Sequence, residues 1–332
     1  MINLTTPQSF AIFVRSAYGD LLMVAPLINL IKQKNVHNKV TLFVEEKNYQ
    51  LVEFMENVDS CYLIPSKGNK YLLYVFHGLK NRKNKYDISI AAKTGTGTAN
   101  GFFPYMLGAK IRISYISNKK RWTDWMINHP INYEESTYHE QHYALGVLQL
   151  LNKNIDCIHK NLYPKLKNIN HKIKNINHKI NTEIKILISV SNNRSFCQLK
   201  NVTIAKILNE IHKKYNFSIY ISSLINDVNK ATALQKLLNF ESTIKTTILL
   251  KDYLTLVKSV DLCFFGEGGG MHMAAALEVN QVVLFGGTST LTWGPLSDQS
   301  VILSDKLDVN NIPVDQILSA LEIQLNSIKL TK

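Results

Sequence analysis

The chain has 332 residues, 45% of them hydrophobic and 19% charged, which is typical of a folded protein with room for one large domain or two. Its formal net charge of +13 comes mainly from lysine in a chain that is also rich in Asn and Ile, so a compositional bias and a basic face for an acidic partner are both open interpretations. The absence of eighteen consecutive apolar residues and of a recognisable nucleic-acid-binding motif argues against a membrane span and against nucleic acid as a partner.

The first half of the chain alternates short apolar runs with helical patterns. Pro26 lies six residues into the first predicted helix, so we expect that helix to be kinked or to start late. The predicted strands are residues 10–14, 40–44, 61–64 and 88–92, and the predicted helices are 21–34, 49–57, 71–83, one that opens at 102–107, and 138–151.

A polar, low-complexity stretch at residues 165–183 separates the two halves. It contains the heptapeptide KNINHKI twice, at 167–173 and 174–180, which predicts an exposed linker. We interpret His171 and His178 as residues of that linker rather than as a metal-binding pair.

The second half repeats the alternation of strands and helices. Its predicted strands are residues 184–190, 218–222, 260–265 and 281–285, and its predicted helices are 203–215, 227–238, 252–260, 271–278 and 314–324. This spacing predicts parallel sheets covered on both faces. The fold class is therefore α/β, with two Rossmann-like domains, residues 1–164 and 184–332, that face a cleft where ligands bind.

A glycine triplet at 268–270 joins strand 260–265 to helix 271–278. Glycine lets the backbone turn tightly and approach a ligand, and the unpaired N–H groups and positive dipole end of the following helix favour an anion such as phosphate. The spacing is not that of a dinucleotide fold or a P-loop. A tight turn without a ligand is the alternative.

Polar residues follow two strands of the first domain. Asp20 comes after strand 10–14, at the edge where parallel sheets place reactive groups, although an aspartate there also serves as a helix cap. Arg15, Lys93 and the Gly/Thr run that starts at Thr94 are expected at the same edge, where they suit a sugar or a phosphate; an ordinary loop is the alternative. His139 opens helix 138–151 beside Glu140, which suggests acid–base work, metal binding or simple capping.

In the second domain, Arg194 and Lys200 follow strand 184–190, where a cation could neutralise a diphosphate bound at the glycine turn. Glu267 and His272 flank that turn, and His272 is equally consistent with a core histidine. Thr288 follows strand 281–285, in a loop that also carries Trp293.

These motifs resemble the ADP-heptose:lipopolysaccharide heptosyltransferases, glycosyltransferase family 9. The family's Gly-Asp and Leu-rich turn is similar to residues 19–22 with Pro26. Its glycine motif, its strand ending in Leu-Phe-Gly-x-Thr and its Gly-Pro are similar to residues 267–277, 284–288 and 293–295. Gly-Ala-Lys at 108–110 followed by Arg112, and the helix that begins at His139, also look similar.

The resemblance implies a GT-B enzyme that inverts the anomeric centre and needs neither a metal ion nor another cofactor. Asp20 would be the general base, and the glycine triplet would hold the leaving diphosphate. The implied donor-binding residues are Glu267, Gly268, Gly269, Gly270, His272, Thr288, Lys200 and Arg194. The implied acceptor-binding residues are Arg15, Gly19, Lys93, Thr94 and His139.

Three features depart from the family pattern. Glu267 replaces an aspartate, and Gly268 replaces a threonine or serine. Residues 198–201, Gln-Leu-Lys-Asn, replace the usual Lys-x-Trp-Pro, so Lys200 or Arg194 would take over from the phosphate-binding lysine. The repeat-bearing linker matches nothing in the family.

The expected function is transfer of a heptose or related sugar from an ADP-sugar to a lipopolysaccharide or lipooligosaccharide core. The expected partners are the nucleotide sugar, an acidic glycolipid acceptor and the anionic surface of the inner membrane. Scattered cysteines and the lack of a signal-peptide pattern favour the cytoplasm, on the inner face of the bacterial inner membrane. The alternatives are a GT-B relative with a different nucleotide sugar, an epimerase of that architecture, or a non-catalytic nucleotide-sugar-binding homologue.

Overall fold

The computed structural model of the chain describes residues 4–15, 17–64, 69–92, 98–116, 119–132, 158–169, 183–192 and 194–331. Its contacts divide into two units, Met1–Lys167 with Leu291–Trp293, and Asn168–Thr290 with Gly294–Lys332. Most of the predicted linker, including His171 and His178, lies outside the described residues, as does predicted helix 138–151. No helix in the described ranges is long and apolar enough to cross a membrane.

The first unit contains a six-stranded parallel sheet. Its strands are β1 Ser9–Val14, β2 Lys39–Glu45, β3 Ser60–Ile64, β4 Ile88–Ala91, β5 Ile111–Ile116 and β6 His129–Asn132. Its helices are α1 Tyr18–Leu22, α2 Ala25–Lys34, α3 Glu46–Val52, α4 Lys70–Asn81 and α5 Thr98–Met106. The strand order is β3-β2-β1-β4-β5-β6, so β1 lies beside β4 at the point where the winding direction reverses.

The second unit repeats this topology. Its strands are β7 Ile184–Ser189, β8 Phe217–Ser223, β9 Ser242–Thr246, β10 Leu262–Gly266, β11 Asn280–Gly286 and β12 Ser300–Asp305. Its helices are α6 Asn201–His212, α7 Val228–Gln235, α8 Leu250–Lys258, α9 Gly269–Ala276 and α11 Val314–Thr331, and the short helix α10, Thr290–Trp293, begins in this unit while its last three residues group with the first unit. The order β12-β11-β10-β7-β8-β9 places β7 beside β10 at the equivalent reversal.

Central strands are buried on both faces, which explains why they have apolar runs in the sequence. Residues 10–14 of β1 and all four residues of β4 are buried. In the second unit, one core combines alternate residues of β7, β8 and β10 with the inner faces of α6 and α11. The predicted α/β fold with two parallel sheets is confirmed.

The sequence analysis missed four strands, β5, β6, β9 and β12. Three of them, β6, β9 and β12, are edge strands, and β9 and β12 contain no fully buried residue. An edge strand with only half-buried residues lacks the apolar run on which the prediction relied. The helix predicted at 49–57 is wrong over its last residues, because α3 ends at Val52 and Asn57 adopts a left-handed conformation, φ +64°.

Candidate functional site

The glycine turn lies at the carboxyl end of β10, beside the carboxyl end of β7. Gly268 has φ +157° and ψ −170°, a backbone conformation that glycine adopts almost alone. A Cβ built on Gly268 would meet no atom within 4 Å, so open space adjoins the turn at this position. Helix α9 begins at Gly269, and its first N–H groups have no partner from within the helix. The turn therefore has the geometry of an anion site.

Gly270 has a different role from Gly268. A Cβ on Gly270 would lie 2.7 Å from the hydroxyl oxygen of Tyr253, which belongs to α8. Glycine at this position thus lets α9 pack closely against Tyr253. Of these two glycines, the structure associates only Gly268 with space that a ligand could enter.

Glu267 is buried, and its carboxylate joins three segments of the second unit. Arg194 Nη1 lies 2.6 Å from Oε1 of Glu267, and the thiol of Cys197 donates to the same oxygen at 3.3 Å. The hydroxyl of Thr288 donates to Oε2. The longer side chain that replaces the family's aspartate is thus used inside the protein, and we infer that it positions the turn.

Asn192 supports the turn through the backbone. Its side-chain amide donates to the carbonyl oxygen of Glu267 at 3.0 Å, and its Oδ1 accepts from the N–H of Arg194 at 3.1 Å. The sequence analysis did not select Asn192 or Cys197. Asn192 could have been found because it is a polar residue that directly follows a strand. Nothing in the sequence distinguishes Cys197 from an ordinary buried cysteine.

Two titratable groups near the turn are uncharged at neutral pH. Burial, reinforced by the neighbouring carboxylate of Glu267, raises the pKa of the Cys197 thiol to about 12. Burial lowers the pKa of His272 to about 4. A neutral His272 brings no positive charge to a bound phosphate, so Arg194 and the helix terminus are the positive groups at this turn.

Lys200 lies at a different place from Arg194. It is exposed at the N-terminus of α6, and its backbone N–H donates to Asn310 Oδ1 at 3.0 Å. The hydrogen bonds that Asp308 accepts from Asn310 are the main cause of its lowered pKa, and the charge of Lys200 lowers that pKa further. Among the two predicted cations, Arg194 is the one that the structure pairs with the glycine turn.

Asp20 lies at the carboxyl end of β1, in the first turn of α1. Its Oδ2 accepts a hydrogen bond of 3.0 Å from the N–H of Ala17, so it does stabilise the start of the helix. The helix predicted at 21–34 is in fact two helices, and Pro26 lies in the first turn of α2. Asp20, half-buried beside the buried Gly19, therefore sits on a short separate turn rather than within a long helix.

Arg15 follows β1 directly and is held by its neighbours. Its Nε lies 3.3 Å from Glu45 Oε1, and its guanidinium lies 5.9 Å from the centre of the Tyr74 ring. The other predicted acceptor residues, Lys93, Thr94 and His139, lie outside the described residues. Within the ranges that the structure describes, no three His, Cys, Asp or Glu side chains are arranged to hold a metal ion.

Gly266 precedes Glu267 and marks where β10 meets the loop after β7. A Cβ at Gly266 would overlap the backbone carbonyl oxygen of Cys197. We expect Gly266→Ala to lower the free energy of unfolding by about 3 kcal/mol or more, because backbone cannot move aside as a side chain can. Gly268→Ala, which meets only conformational strain, should cost about 1–2 kcal/mol. Thermal melts of both variants test this contrast, and equal losses of stability would contradict it.

Comparisons with known proteins identify the family and the fold. The family model described as "Glycosyltransferase family 9 (heptosyltransferase)" matches residues 75–313. The fold is similar to that of a family 9 glycosyl transferase from Veillonella parvula, with a TM-score of 0.81 at 14% identity over 98% of this chain and 99% of that chain. For E. coli ADP-heptose LPS heptosyltransferase II the TM-score is 0.76 at 13% identity, over 97% and 99%. For E. coli heptosyltransferase WaaC with ADP it is 0.73 at 12% identity, over 95% and 99%. A search of curated protein sequences gave no match.

Proposed function

The chain belongs to glycosyltransferase family 9 and is a glycosyltransferase of GT-B architecture, and from this premise we propose that it transfers a heptose or related sugar from an ADP-sugar to a lipopolysaccharide or lipooligosaccharide core. The proposed transfer inverts the anomeric centre and needs no metal ion. The observation that carries this proposal is the glycine turn at the start of α9, where Gly268 adjoins open space and Arg194 supplies a positive charge.

That turn suits the leaving diphosphate of a nucleotide sugar. The charge on the diphosphate grows as its bond to the sugar breaks, and N–H groups fixed at a helix start stabilise that charge without having to reorganise. The Arg194 side chain is 42% exposed, and one end of its guanidinium is held by Glu267. A cation fixed in this way can take the place of the family's phosphate-binding lysine.

Asp20 is the proposed general base. An acceptor hydroxyl attacks the anomeric carbon from the face opposite the diphosphate, the new C–O bond forms as the bond to diphosphate breaks, and Asp20 takes the hydroxyl proton. A single displacement of this kind inverts the anomeric carbon. Asp20 lies at the carboxyl end of β1, beside the topological reversal of the first sheet, where α/β enzymes place reactive groups.

Two observations point to different donors. The similarity to E. coli ADP-heptose LPS heptosyltransferase II favours an ADP-sugar. Against this, Glu267 is turned inward onto Arg194, Cys197 and Thr288, so the residue that replaces the family's donor-contacting aspartate does not present its carboxylate to the open side of the turn. A different nucleotide sugar is therefore the second candidate.

We also propose where the enzyme works. A lipopolysaccharide core is an acidic glycolipid embedded in a bilayer, and the chain's net charge of +13 favours an acidic acceptor and an anionic lipid surface. The proposed location is the cytoplasm, peripheral to the inner face of the bacterial inner membrane.

Nucleotide selectivity is the first test of the proposed donor. We expect ADP to raise the melting temperature more than UDP, GDP or CMP does, because the proposed donor is an ADP-sugar. A ligand at a hundred times its Kd adds roughly 2.7 kcal/mol of stability. The measurement is a thermal-shift series with each nucleotide at the same concentration. A preference for UDP, GDP or CMP would favour the second candidate, and no shift with any nucleotide would count against a nucleotide-sugar donor. If ADP is selected, ADP-heptose and a core acceptor should give an inverted product in EDTA as well as in buffer, and a strict need for added Mg²⁺ would contradict the metal-free step.

A further inference from the structure

Helix α4 of the first unit has apolar residues on both its buried and its exposed faces. Leu72, Phe76 and Leu79 follow one another at helical spacing on the solvent side, and the exposed fractions of Leu72 and Phe76 are 67% and 60%. The opposite face packs against α5, where Gly78 lies so close to Met106 that a Cβ on the glycine would overlap it. A surface helix packs one apolar face against the protein core, so a second, exposed apolar face indicates a surface that binds a partner.

Exposed aromatic rings extend this face across the neighbouring segments. Tyr71, beside Leu72, contacts Phe102 at 5.9 Å between ring centres, and Phe102 contacts Trp122 at 6.1 Å. Tyr105, one turn beyond Phe102, contacts Trp125 at 5.1 Å. Trp122 and Trp125 are 62% and 64% exposed. We call Leu72, Phe76, Leu79, Tyr105, Trp122 and Trp125 the aromatic surface.

The charge around the aromatic surface is predominantly positive. Residues 71–86, 98–116 and 119–132, which carry it, contain nine Lys or Arg residues and a single carboxylate, Asp124. Lys80 lies 5.9 Å from the centre of the Phe76 ring, and the guanidinium of Arg112 lies 5.5 Å from that of Tyr105. The cations are thus interleaved with the apolar side chains.

We propose that the aromatic surface docks the enzyme on an anionic phospholipid bilayer. Amphipathic Trp and Tyr side chains with surrounding Lys and Arg are the composition that binds the headgroup region of such a membrane. Protein interfaces are depleted in lysine, so a protein partner fits this surface less well. The choice of a bilayer as the partner of the aromatic surface rests on the proposed function, since a glycolipid acceptor lies in a bilayer.

The position of α4 in the fold connects this surface to the acceptor side of the enzyme. Helix α4 begins six residues after β3 ends at Ile64, at the carboxyl edge of the first sheet. Asp20 follows β1 at the same edge, because the strands of this sheet are parallel. A bilayer that binds the first turn of α4 would therefore hold a membrane-embedded acceptor near the edge that carries the proposed base.

Vesicle binding by the full chain tests the proposal. We expect sedimentation with vesicles of phosphatidylcholine and phosphatidylglycerol, and little with phosphatidylcholine alone. Leu72→Ser with Phe76→Ser should lower the partition coefficient about ten-fold or more. Lys80→Glu with Lys83→Glu should lower it about thirty-fold or more and should not disturb the helix interior, because both lysines are exposed.

Matched controls come from the second unit. Leu307→Ser with Ile323→Ser changes two equally exposed apolar side chains, and Lys206→Glu with Lys236→Glu reverses two exposed lysines. We expect both control pairs to bind vesicles as the parent chain does. Equal binding by the aromatic-surface variants and the controls would overturn the proposal, as would failure of the parent chain to bind anionic vesicles.

Three further measurements separate this proposal from its competitors. In a Trp293→Phe chain the remaining tryptophans are Trp122 and Trp125, and brominated lipid should quench their fluorescence. Light scattering that shows a dimer broken by the Leu72→Ser and Phe76→Ser pair, with vesicle binding intact, would assign the surface to self-association instead. Transfer to a soluble, delipidated acceptor should stay unchanged in the aromatic-surface variants. If the parent chain binds vesicles but transfers no sugar, the proposed function is refuted and the membrane-binding role of the aromatic surface is retained.

Discussion

Asp20→Asn is expected to slow sugar transfer by about 10²–10⁴-fold, the contribution of a positioned general base, while ADP binding stays the same. The amide cannot accept the acceptor's proton, yet it keeps the shape of the carboxylate and an oxygen that can still accept from the N–H of Ala17 at the start of α1. The loss should therefore appear in kcat and not in the melting temperature or the affinity for nucleotide.

Asp124→Asn is the matched control. Asp124 Oδ2 accepts from the N–H of Arg121, three residues earlier, at 2.8 Å, which is the same local hydrogen bond that Asp20 makes to Ala17. Initial rates with a soluble acceptor and ADP-shift measurements on both variants decide the role. If Asp20→Asn keeps its rate, or if it loses stability without losing catalysis, then Asp20 is only a helix-stabilising residue.

Arg194→Ala is expected to weaken ADP binding about ten- to a hundred-fold and to lower the free energy of unfolding by about 1–3 kcal/mol. The first effect is the loss of a charge-assisted contact to phosphate. The second arises because the carboxylate of Glu267 stays buried without its cation. Removal of one partner of a fully buried pair costs about 3–5 kcal/mol, and the partial exposure of Arg194 reduces that figure.

Three further variants separate binding from stability. Arg194→Lys keeps a positive charge near Glu267 and should restore most of the stability, although it gives up the planar two-pronged geometry of the guanidinium. The double variant Arg194→Met with Glu267→Gln removes both charges, so it should be more stable than Arg194→Ala and still bind ADP weakly. Lys200→Met should leave ADP affinity within a factor of about two. A large loss of ADP affinity in Lys200→Met, with none in Arg194→Ala, would assign the phosphate contact to Lys200.

Local sequence patterns were sufficient for the central architecture. Eight of the twelve strands that the structure describes were predicted from their apolar runs, and Pro26 indicated the late start of α2. Those patterns failed at β5 and at the edge strands β6, β9 and β12. The half-buried residues of the three edge strands become strands only because a neighbouring strand is there to pair with them. The same limit applies to helix ends such as Val52, where local propensity is weak.

The sequence by itself determined the alternation of strands and helices, the glycine turn before α9 and the Gly-Asp after β1, because each depends on residues that are neighbours along the chain. Only the tertiary structure showed that Glu267 pairs with Arg194, since that contact needs the sheet order that puts β7 beside β10. Tertiary contacts also distinguished Gly270, which packs on Tyr253, from Gly268, which adjoins open space. Tertiary contacts also showed which face of α4 is exposed. From sequence alone an apolar residue is expected in the core, and only the fold shows that it faces solvent.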